Sequence, residues 1–354
     1  GYSVTRNYLL LEVLDNVNGR VIEARHGGEG WKLREVPVPR ASTISVGAVD
    51  RDEGDAYWIT TSSFTEPTTL ALATAGSDTR EKLKALPALF DAKGLTVAQH
   101  EATSKDGTKI PYFVVMREGT KLDGANPTVL YGYGGFEIPM KPGYSGTIGA
   151  GWLEWGGVWV LANIRGGGEF GPEWHNTAIR ENRHRTHDDF QAVGDDIVRR
   201  GITSPRHLAA MGGSQGGLLV GTALTQRPDL FKAIVCQVPL LDMKRYSHLL
   251  AGASWMGEYG NPDVEGDWAF ISKYSPYQNV SGDRKYPKVF FVTSTRDDRV
   301  HPGHARKMVA KMEAQGHDVL YYENTEGGHA AASTPTQQAH MWALTYTFLR
   351  GELR

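Results

Sequence analysis

Short apolar runs alternate with helical segments from Pro127 to the C-terminus, and this pattern constrains the fold more than any other feature. The apolar runs are PTVLYGYGG, GVWVLANIRG, HLAAMGG, AIVCQVPLLD, KVFFVTSTRDD and DVLYYENTEG. The helical segments between them include HDDFQAVGDDIVRRG, GGLLVGTALTQRPDLF and HPGHARKMVAKMEAQG. Strands and helices that alternate in this way form a parallel sheet covered by helices on both faces. The pattern therefore predicts an α/β domain.

The last helix is expected to begin at TPTQQ. Thr334 is the predicted N-cap, and Pro335 suits the first helical position because its missing N–H is not needed there. Gln337 follows the N-cap by three residues and is predicted to complete a capping box.

The first 95 residues have a different pattern, with short strands separated by turn residues. YLLLEVLDNVNGRVIEAR predicts a hairpin around an Asn-Gly turn, and STISVGAVD, DAYWITTSSF and TTLALATAG predict further strands. Such strands are typical of a sandwich or of propeller blades, and a blade takes roughly 40–50 residues. We therefore expect about two blades, too few to close a propeller. The charged segment DTREKLKALPALFDAKG is predicted to be a linker.

Composition excludes several classes of protein. The 38 Lys and Arg residues nearly balance the 40 Asp and Glu residues, which gives no electrostatic reason to expect nucleic acid or membrane as a partner. A single cysteine, Cys236, cannot form an intrachain disulfide. The lack of an intrachain disulfide favours a cytoplasmic protein. A periplasmic or secreted protein stays open, because an upstream signal could have been lost from the N-terminus.

A glycine-rich turn joins a predicted strand to a predicted helix in AAMGGSQGGLLVG. Residues 212–216 match G-x-S-x-G, the turn that exposes a nucleophilic serine, here Ser214. Positions two before and two after this serine must lack side chains so that strand and helix can approach. The spacing fits neither a phosphate-binding P-loop nor a dinucleotide-binding loop. The remaining alternative is a tight turn with an idle serine.

A nucleophilic serine needs a base and a residue that orients the base. Asp297 and His329 follow predicted strands in the order that this fold requires. Asp297 is favoured over Asp298 because it is predicted to be the first residue past its strand. The other candidate histidines are expected to be solvated or satisfied by structure: His301, His304, His317 and His340. The segment ENRHRTHDD, with His184 and His187, is predicted to be a solvated loop and helix start. No metal is expected at HPGH, where the spacing fits no known site.

Two groups are expected to stabilise a developing oxyanion. One is the backbone N–H of Gln215, which follows the serine. The other comes from the turn after VLYGYGGF, where Tyr131 and Tyr133 both offer a phenol O–H. The alternative is that both tyrosines are buried sheet aromatics.

Six segments together resemble the prolyl oligopeptidase (prolyl endopeptidase) family of serine peptidases: YGYGGF, ANIRGGGEFGPEWH, GGSQGGLLV, QRPDLFKAIVCQVPLLDM, KYSPYQNV and DDRVHP. The resemblance extends from SKDGTKIPYFVV to the C-terminus and, more weakly, over the β-rich part. It implies an α/β-hydrolase fold, a mostly parallel sheet flanked by helices, preceded by antiparallel blades of an incomplete β-propeller. Residues 1–95 would hold the blades and linker, and residues 96–354 the catalytic domain.

The family has seven blades and a short segment before them. We therefore expect this chain to be a C-terminal fragment or one piece of a split protein, and the absent portion could be its partner. Without the remaining blades, the chain would either be unstable or lose the size filter that limits the family to short peptides.

The resemblance also assigns roles to residues. Ser214 would be the nucleophile, His329 the base and Asp297 the orienting residue, and Tyr133 is favoured over Tyr131 as the oxyanion donor. Trp255 would stack on a substrate proline, and Arg299 would bind a substrate carbonyl. The apolar surroundings of the proline would be formed by Tyr259, Leu240, Val300 and Phe136.

The resemblance predicts an endopeptidase that hydrolyses short peptides on the carboxyl side of proline through an acyl-enzyme, without a cofactor. Its partners would be proline-containing peptides. Alternatives are a related oligopeptidase that prefers another residue before the cleaved bond, a peptide ligase of the family, a carboxylesterase or a non-catalytic module. Gln215 stands where the family commonly has asparagine, and we expect this change to tune the pocket while activity is retained.

Overall fold

The computed structural model describes residues 1–354, which form two compact units. The first unit comprises Gly1–Val97 and Lys141–Ala150, and the second comprises Ala98–Met140 and Gly151–Arg354. No helix of the chain combines the length and the hydropathy that crossing a membrane requires.

The first unit contains two antiparallel sheets of four strands each. Their strands are β1 (Tyr2–Val4), β2 (Leu9–Asp15), β3 (Asn18–Gly27), β4 (Gly30–Val36), β5 (Ser42–Ala48), β6 (Ala56–Ser63), β7 (Thr69–Thr74) and β8 (Arg80–Ala85). Within each sheet the strands neighbour one another in chain order, β1 to β4 and β5 to β8. This arrangement of four-stranded antiparallel sheets confirms the predicted pair of propeller-like blades.

The first hairpin turns at Asn16 and Val17, so the prediction of a turn at Asn18-Gly19 is wrong. Asp15 pairs with Asn18, which leaves two residues in the loop, with φ of 46° and 63°. Positive φ at both positions is what a type I′ turn requires. Asn18 supports the turn by donating from Nδ2 to the carbonyl of Asn16 at 2.9 Å. The Val17 side chain is fully buried, which holds a β-branched residue in a conformation that it rarely adopts.

Part of the predicted linker is instead a strand. Arg80–Ala85 pairs antiparallel with β7 at the edge of the second sheet. Five of its six residues are exposed, and the strand carries four charged side chains in the sequence REKLKA. Charged side chains on an edge strand discourage edge-to-edge association. The charge that suggested a linker therefore belongs to an exposed edge.

The second unit is built on one eight-stranded sheet. Its strands are β9 (Leu95–Thr103), β10 (Lys109–Arg117), β11 (Thr128–Tyr131), β12 (Val158–Ala162), β13 (Leu208–Gly213), β14 (Ala233–Gln237), β15 (Lys288–Ser294) and β16 (Val319–Asn324). Their spatial order is β16-β15-β14-β13-β11-β12-β10-β9. The pairs from β12 through β11 and β13 to β16 are parallel, and β10 pairs antiparallel with β12. The predicted mostly parallel sheet is thus confirmed.

Helices connect these strands. The α-helices are α1 (Gly146–Ile148), α2 (Pro172–Asn176), α3 (His184–Arg199), α4 (Gln215–Gln226), α5 (Met256–Tyr259), α6 (Glu265–Ile271), α7 (Pro276–Asn279), α8 (Gly303–Ala314) and α9 (Pro335–Glu352). Short 3₁₀ helices span Arg180–Asn182, Tyr246–His248, Leu250–Trp255 and Ser272–Tyr274, and a π-helical turn spans Gly149–Leu153.

The core of the second unit lies on both sides of its sheet. Every residue of β12 and β14 is buried, as expected for strands covered on both faces. Helix α3 contributes Phe190, Val193 and Ile197, which share one helix face because they are three and four residues apart. This packing fixes the strand ends from which the candidate site is built.

The ends of two helices test the local predictions. Thr334 caps α9, since its side chain accepts from the N–H of Gln337 at 3.2 Å. The capping box is displaced by one residue, because the Gln337 side chain accepts from the N–H of Ser333 at 2.8 Å and not from that of Thr334. Helix α4 ends at Gln226, five residues earlier than its predicted segment. The cause is Pro228, whose ring disfavours helical geometry in the preceding residue, Arg227.

Candidate active site

Ser214 sits in a strained turn between β13 and α4. Its φ of 59° and ψ of −115° are unusual for a residue with a side chain. A Cβ on Gly216 would lie 2.7 Å from the carbonyl of Gly132, and a Cβ on Gly212 would collide with the carbonyl of Gly216. The prediction that positions two before and two after the serine must lack side chains is therefore confirmed.

Asp297 and His329 are brought together at the carboxyl ends of neighbouring parallel strands. His329 Nδ1 lies 2.8 Å and 3.0 Å from the two carboxylate oxygens of Asp297. The backbone N–H groups of Arg299 and Val300 also donate to this carboxylate, at 3.0 Å and 2.9 Å, which fixes its orientation. Because a carboxylate only accepts, the His329 proton resides on Nδ1 and leaves Nε2 as a base.

The position of Asp297 differs from the prediction in one respect. Strand β15 ends at Ser294, so Asp297 is the third residue past the strand and not the first. Asp298 is exposed, whereas the Asp297 side chain is fully buried. Burial against His329 distinguishes the two carboxylates better than distance from the strand does.

Three other candidate histidines have hydrogen-bond or ring partners outside this pair. His304 is buried in α8 and accepts from the N–H groups of Leu241 and Asp242. His317 bonds the carbonyl of Ser281, and His340 packs on Tyr322.

The prediction of a solvated segment at ENRHRTHDD is only half correct. His184 is exposed in the first turn of α3, but His187 is buried in the same helix. Its ring packs against Tyr274 at 5.4 Å between centroids. Burial lowers the pKa of His187, because the apolar surroundings disfavour the charged ring.

Tyr131 and Tyr133 have different surroundings. Tyr131 stacks on Trp159 of the neighbouring strand with 5.5 Å between ring centroids, as a sheet aromatic would. The Tyr133 phenol lies close enough to the Ser214 side chain to interact with it. Burial raises the pKa of Tyr133, which keeps the phenol protonated, and the interaction with Ser214 opposes that shift. Only Tyr133 therefore presents a phenol O–H beside the serine.

Gln215 is fully buried at the start of α4. Its Oε1 accepts from the hydroxyl of Tyr259 at 2.5 Å, and its Nε2 donates to the carbonyl of Tyr133 at 3.4 Å. Its backbone N–H belongs to the first turn of the helix, where N–H groups have no partner within the helix. The side chain thus links Tyr133 to Tyr259, while the N–H remains available beside Ser214.

The five residues predicted to surround a proline belong to one apolar cluster: Phe136, Leu240, Trp255, Tyr259 and Val300. Phe136 meets Tyr259 edge to face at 5.8 Å and Trp255 at 6.4 Å between ring centroids. Tyr259, Leu240 and Val300 are buried, whereas Phe136 and Trp255 are partly exposed. Of the five, these two therefore offer surface to a ligand.

Arg299 is exposed and its guanidinium makes no ion pair. Its positive charge lies close enough to Tyr133 to favour the ionised phenol, which opposes the effect of burial on the pKa of Tyr133. A cation without an ion pair thus lies within electrostatic reach of Tyr133.

This geometry can be compared with known proteins. The model of the prolyl oligopeptidase family, Peptidase_S9, matches residues 147–354. The chain belongs to the prolyl oligopeptidase family. The matched region includes Ser214, Asp297 and His329, whereas Tyr133 and Phe136 lie before it.

Individual relatives are similar to this chain over nearly its whole length. An uncharacterized peptidase of Sinorhizobium fredii is 51% identical over 349 residues, which cover 99% of this chain and 48% of that protein. A solved prolyl endopeptidase structure superposes with a TM-score of 0.93 at 36% identity, covering 100% of this chain and 52% of the other. A post-proline cleaving enzyme from Rickettsia typhi gives 0.89 at 40% identity, covering 99% and 51%. The chain thus spans about half the length of the relatives it matches.

The sequence did not predict a role for three largely buried polar residues, His175, Arg183 and Glu258. Glu258 accepts from Arg183 at 2.7 Å and contacts His175 Nε2 at 2.7 Å, and all three side chains are largely shielded from solvent. Glu258 is the one charged residue in the run GASWMGEYG, which was a usable signal. Arg183 lies in a segment so rich in charge that no pattern separates it from its exposed neighbours.

Proposed function

We propose that this chain carries the active site of a serine peptidase that hydrolyses short peptides after proline. The observation that carries the proposal is the junction of two groups of residues. One group comprises Ser214 and the Asp297–His329 pair, which follow the carboxyl ends of β13, β15 and β16 in one parallel sheet. The other is the aromatic cluster around Trp255. Gln215 connects them, because it follows the serine and accepts from Tyr259 of the cluster.

In the proposed mechanism, Ser214 Oγ attacks the carbonyl carbon of the proline residue. His329 Nε2 accepts the serine proton and later gives it to the leaving amine. Asp297 orients the imidazole and stabilises the imidazolium that forms. The Gln215 N–H and the Tyr133 hydroxyl donate to the oxyanion, whose charge develops only as the bond forms. Water then attacks the acyl-enzyme by the reverse sequence.

The proposed specificity depends on the partly exposed aromatic surface. Proline offers a flat apolar ring and has no N–H, so an aromatic slot accommodates it without leaving a polar group unpaired. Trp255 and Phe136 supply that surface. The unpaired guanidinium of Arg299 would donate to a carbonyl just before the proline as a charge-assisted anchor.

The proposal is tested with a chromogenic peptide in which Gly-Pro precedes the reporter. We expect product release at neutral pH and its loss in Ser214→Ala. A matched peptide with arginine in place of proline should react much more slowly. Cleavage after arginine but not proline would refute the specificity, and full activity of the alanine variant would refute the mechanism.

A further inference from the structure

We propose that Glu258, together with Arg183, is a positioning residue that holds the 133–136 loop in the geometry needed for oxyanion binding by Tyr133. Glu258 belongs to α5, so its carboxylate ties this helix to the loop. The inference rests on the proposed function, because it concerns how that site is held. It makes the position of the oxyanion donor depend on one buried ion pair.

Glu258 uses both oxygens in this arrangement. Its Oε1 accepts from the backbone N–H of Phe136 at 3.0 Å and from Arg183 Nη1 at 2.7 Å. Its Oε2 lies 2.7 Å from His175 Nε2, which must carry the proton because a carboxylate only accepts. The residue is 6% exposed, so these bonds replace water almost completely.

Arg183 holds the same loop through a second atom. Its Nη2 donates to the carbonyl of Gly134 at 2.7 Å, and its guanidinium lies over the ring of Tyr259 at 5.2 Å. Arg183 is fully buried. One ion pair therefore binds a carbonyl and an N–H of the loop that immediately follows Tyr133.

The loop needs such support because its backbone is unfavourable. Phe136 and Glu137 both have φ of 57°, a conformation that costs free energy for residues with a side chain. Gly134 has a φ of 67°, and a Cβ there would lie 2.6 Å from Thr186. A strained segment persists only where its surroundings determine it, and Glu258 and Arg183 supply fixed partners on both sides of Gly135.

Neutralising Glu258 should therefore affect the transition state more than substrate binding. Glutamine has the same size and can still accept from Phe136, but it leaves the buried Arg183 cation without its counter-charge. The loop would then lose its fixed position, and Tyr133 would no longer meet the oxyanion well. We expect kcat to fall while KM changes little.

The decisive test is a double-mutant cycle between Glu258→Gln and Tyr133→Phe on the Gly-Pro substrate. Glu258→Gln should lower kcat by about 30-fold in the wild-type background, less than the roughly 10²–10³-fold cost of removing an oxyanion donor, because the phenol is displaced and not deleted. Once the phenol is absent, the same change should lower kcat by less than about 3-fold. Glu265→Gln, at an exposed glutamate without an ion pair, is the matched control and should leave kcat unchanged. Equal losses in both backgrounds would overturn the inference.

A second variant covers the case in which Glu258→Gln does not fold. Arg183→Lys keeps the charge but cannot donate to Glu258 and Gly134 through one planar fork, so it should show the same dependence on Tyr133. Activity equal to that of the wild type in this variant would also contradict the proposal. Thermal unfolding of each variant shows whether a lost activity reflects lost structure.

The rate of Ser214 labelling by a fluorophosphonate separates this inference from the proposed function. The phosphonyl oxygen uses the same donors as an oxyanion and needs no proline. If the wild type is labelled but does not cleave after proline, the function fails while the inference stays testable. Glu258→Gln should then be labelled about 10-fold more slowly than Glu265→Gln. Equal labelling rates would refute the inference alone.

Discussion

The two sides of the candidate site are held in very different ways. On one side, the segments that carry Ser214, Gln215 and Tyr133 are held by buried hydrogen bonds of the Arg183, Gln215 and Tyr259 side chains. On the other, the His329 side chain is 19% exposed and has the Asp297 carboxylate as its one hydrogen-bond partner. The difference indicates that the oxyanion side is preorganised by packing, whereas the base depends on its hydrogen bond to a single carboxylate.

The largest effect is expected when the hydrogen bond between His329 and Asp297 is altered. Asp297→Asn should lower kcat by about 10⁴-fold, because the amide favours the wrong tautomer of His329. The measurement is kcat on the Gly-Pro substrate. Asp298→Asn, at the exposed neighbour, is the control and should remain close to the wild type. A similar loss in both variants would remove the distinction between the two carboxylates.

The oxyanion side is tested by Tyr133→Phe, which removes one hydroxyl and keeps the ring. We expect kcat to fall by about 100-fold with little change in KM, since the phenol donates mainly in the transition state. Tyr131→Phe is the matched control, because its stacking on Trp159 does not use the hydroxyl. A greater loss in the control would mean that the wrong tyrosine has been assigned.

A buried carboxyl near the oxyanion side predicts a pH dependence of stability. Burial raises the pKa of Glu169 from 4.5 to about 7, although the N–H of Met140 donates to it at 2.9 Å. The unfolded chain loses this proton near pH 4.5 and the folded chain near pH 7, so stability should fall as the pH rises between these values. Glu169 Oε2 and Asn163 Oδ1 are both buried without partners.

Glu169→Gln supplies a donor and removes the titration. It should raise the free energy of unfolding at pH 8 by up to about 3 kcal/mol and change it little at pH 5. Urea unfolding at the two pH values measures this difference. Glu265→Gln should show no such dependence. An equal gain at both pH values would mean that the new hydrogen bond, and not the titration, is responsible.

The smallest expected effect concerns Gln215, which joins Tyr133 to the aromatic cluster. Asparagine is shorter by one methylene, so it should keep the backbone N–H but lose one of the two side-chain bonds. We expect KM for the Gly-Pro substrate to rise by about 5-fold, as for one lost neutral hydrogen bond. Gln226→Asn, at the exposed end of α4, should leave it unchanged. A fall of 100-fold in kcat would instead indicate a catalytic role for the amide.

Sequence patterns predicted the parts of the molecule that depend on local steric rules. The glycines around Ser214 and the alternation of strands and helices follow from backbone geometry, and the structure has both. The Asn-Gly turn was misplaced because burial of Val17 and a side-chain bond from Asn18 outweigh the usual preference of glycine for positive φ. The edge strand Arg80–Ala85 was missed because a charged exposed strand has the composition of a linker.

The buried polar contacts of the site could not be predicted in the same way. Arg183 and Glu258 are 75 residues apart in the chain and meet only in the folded structure. Neither lies in a periodic pattern, since Arg183 precedes α3 and Glu258 belongs to the four-residue helix α5. The side chain of Gln215 was equally undetermined, because its partners Tyr133 and Tyr259 come from separate segments of the chain.

The strained backbone conformation of Ser214 has a consequence for the stability of this protein. Its φ of 59° is unfavourable for serine and for alanine alike, but glycine adopts it freely. A chain with glycine at this position would thus be inactive and yet more resistant to unfolding than its parent. Selection for stability alone would favour glycine at this position and so remove the nucleophile. The serine is therefore retained only where hydrolysis itself is selected.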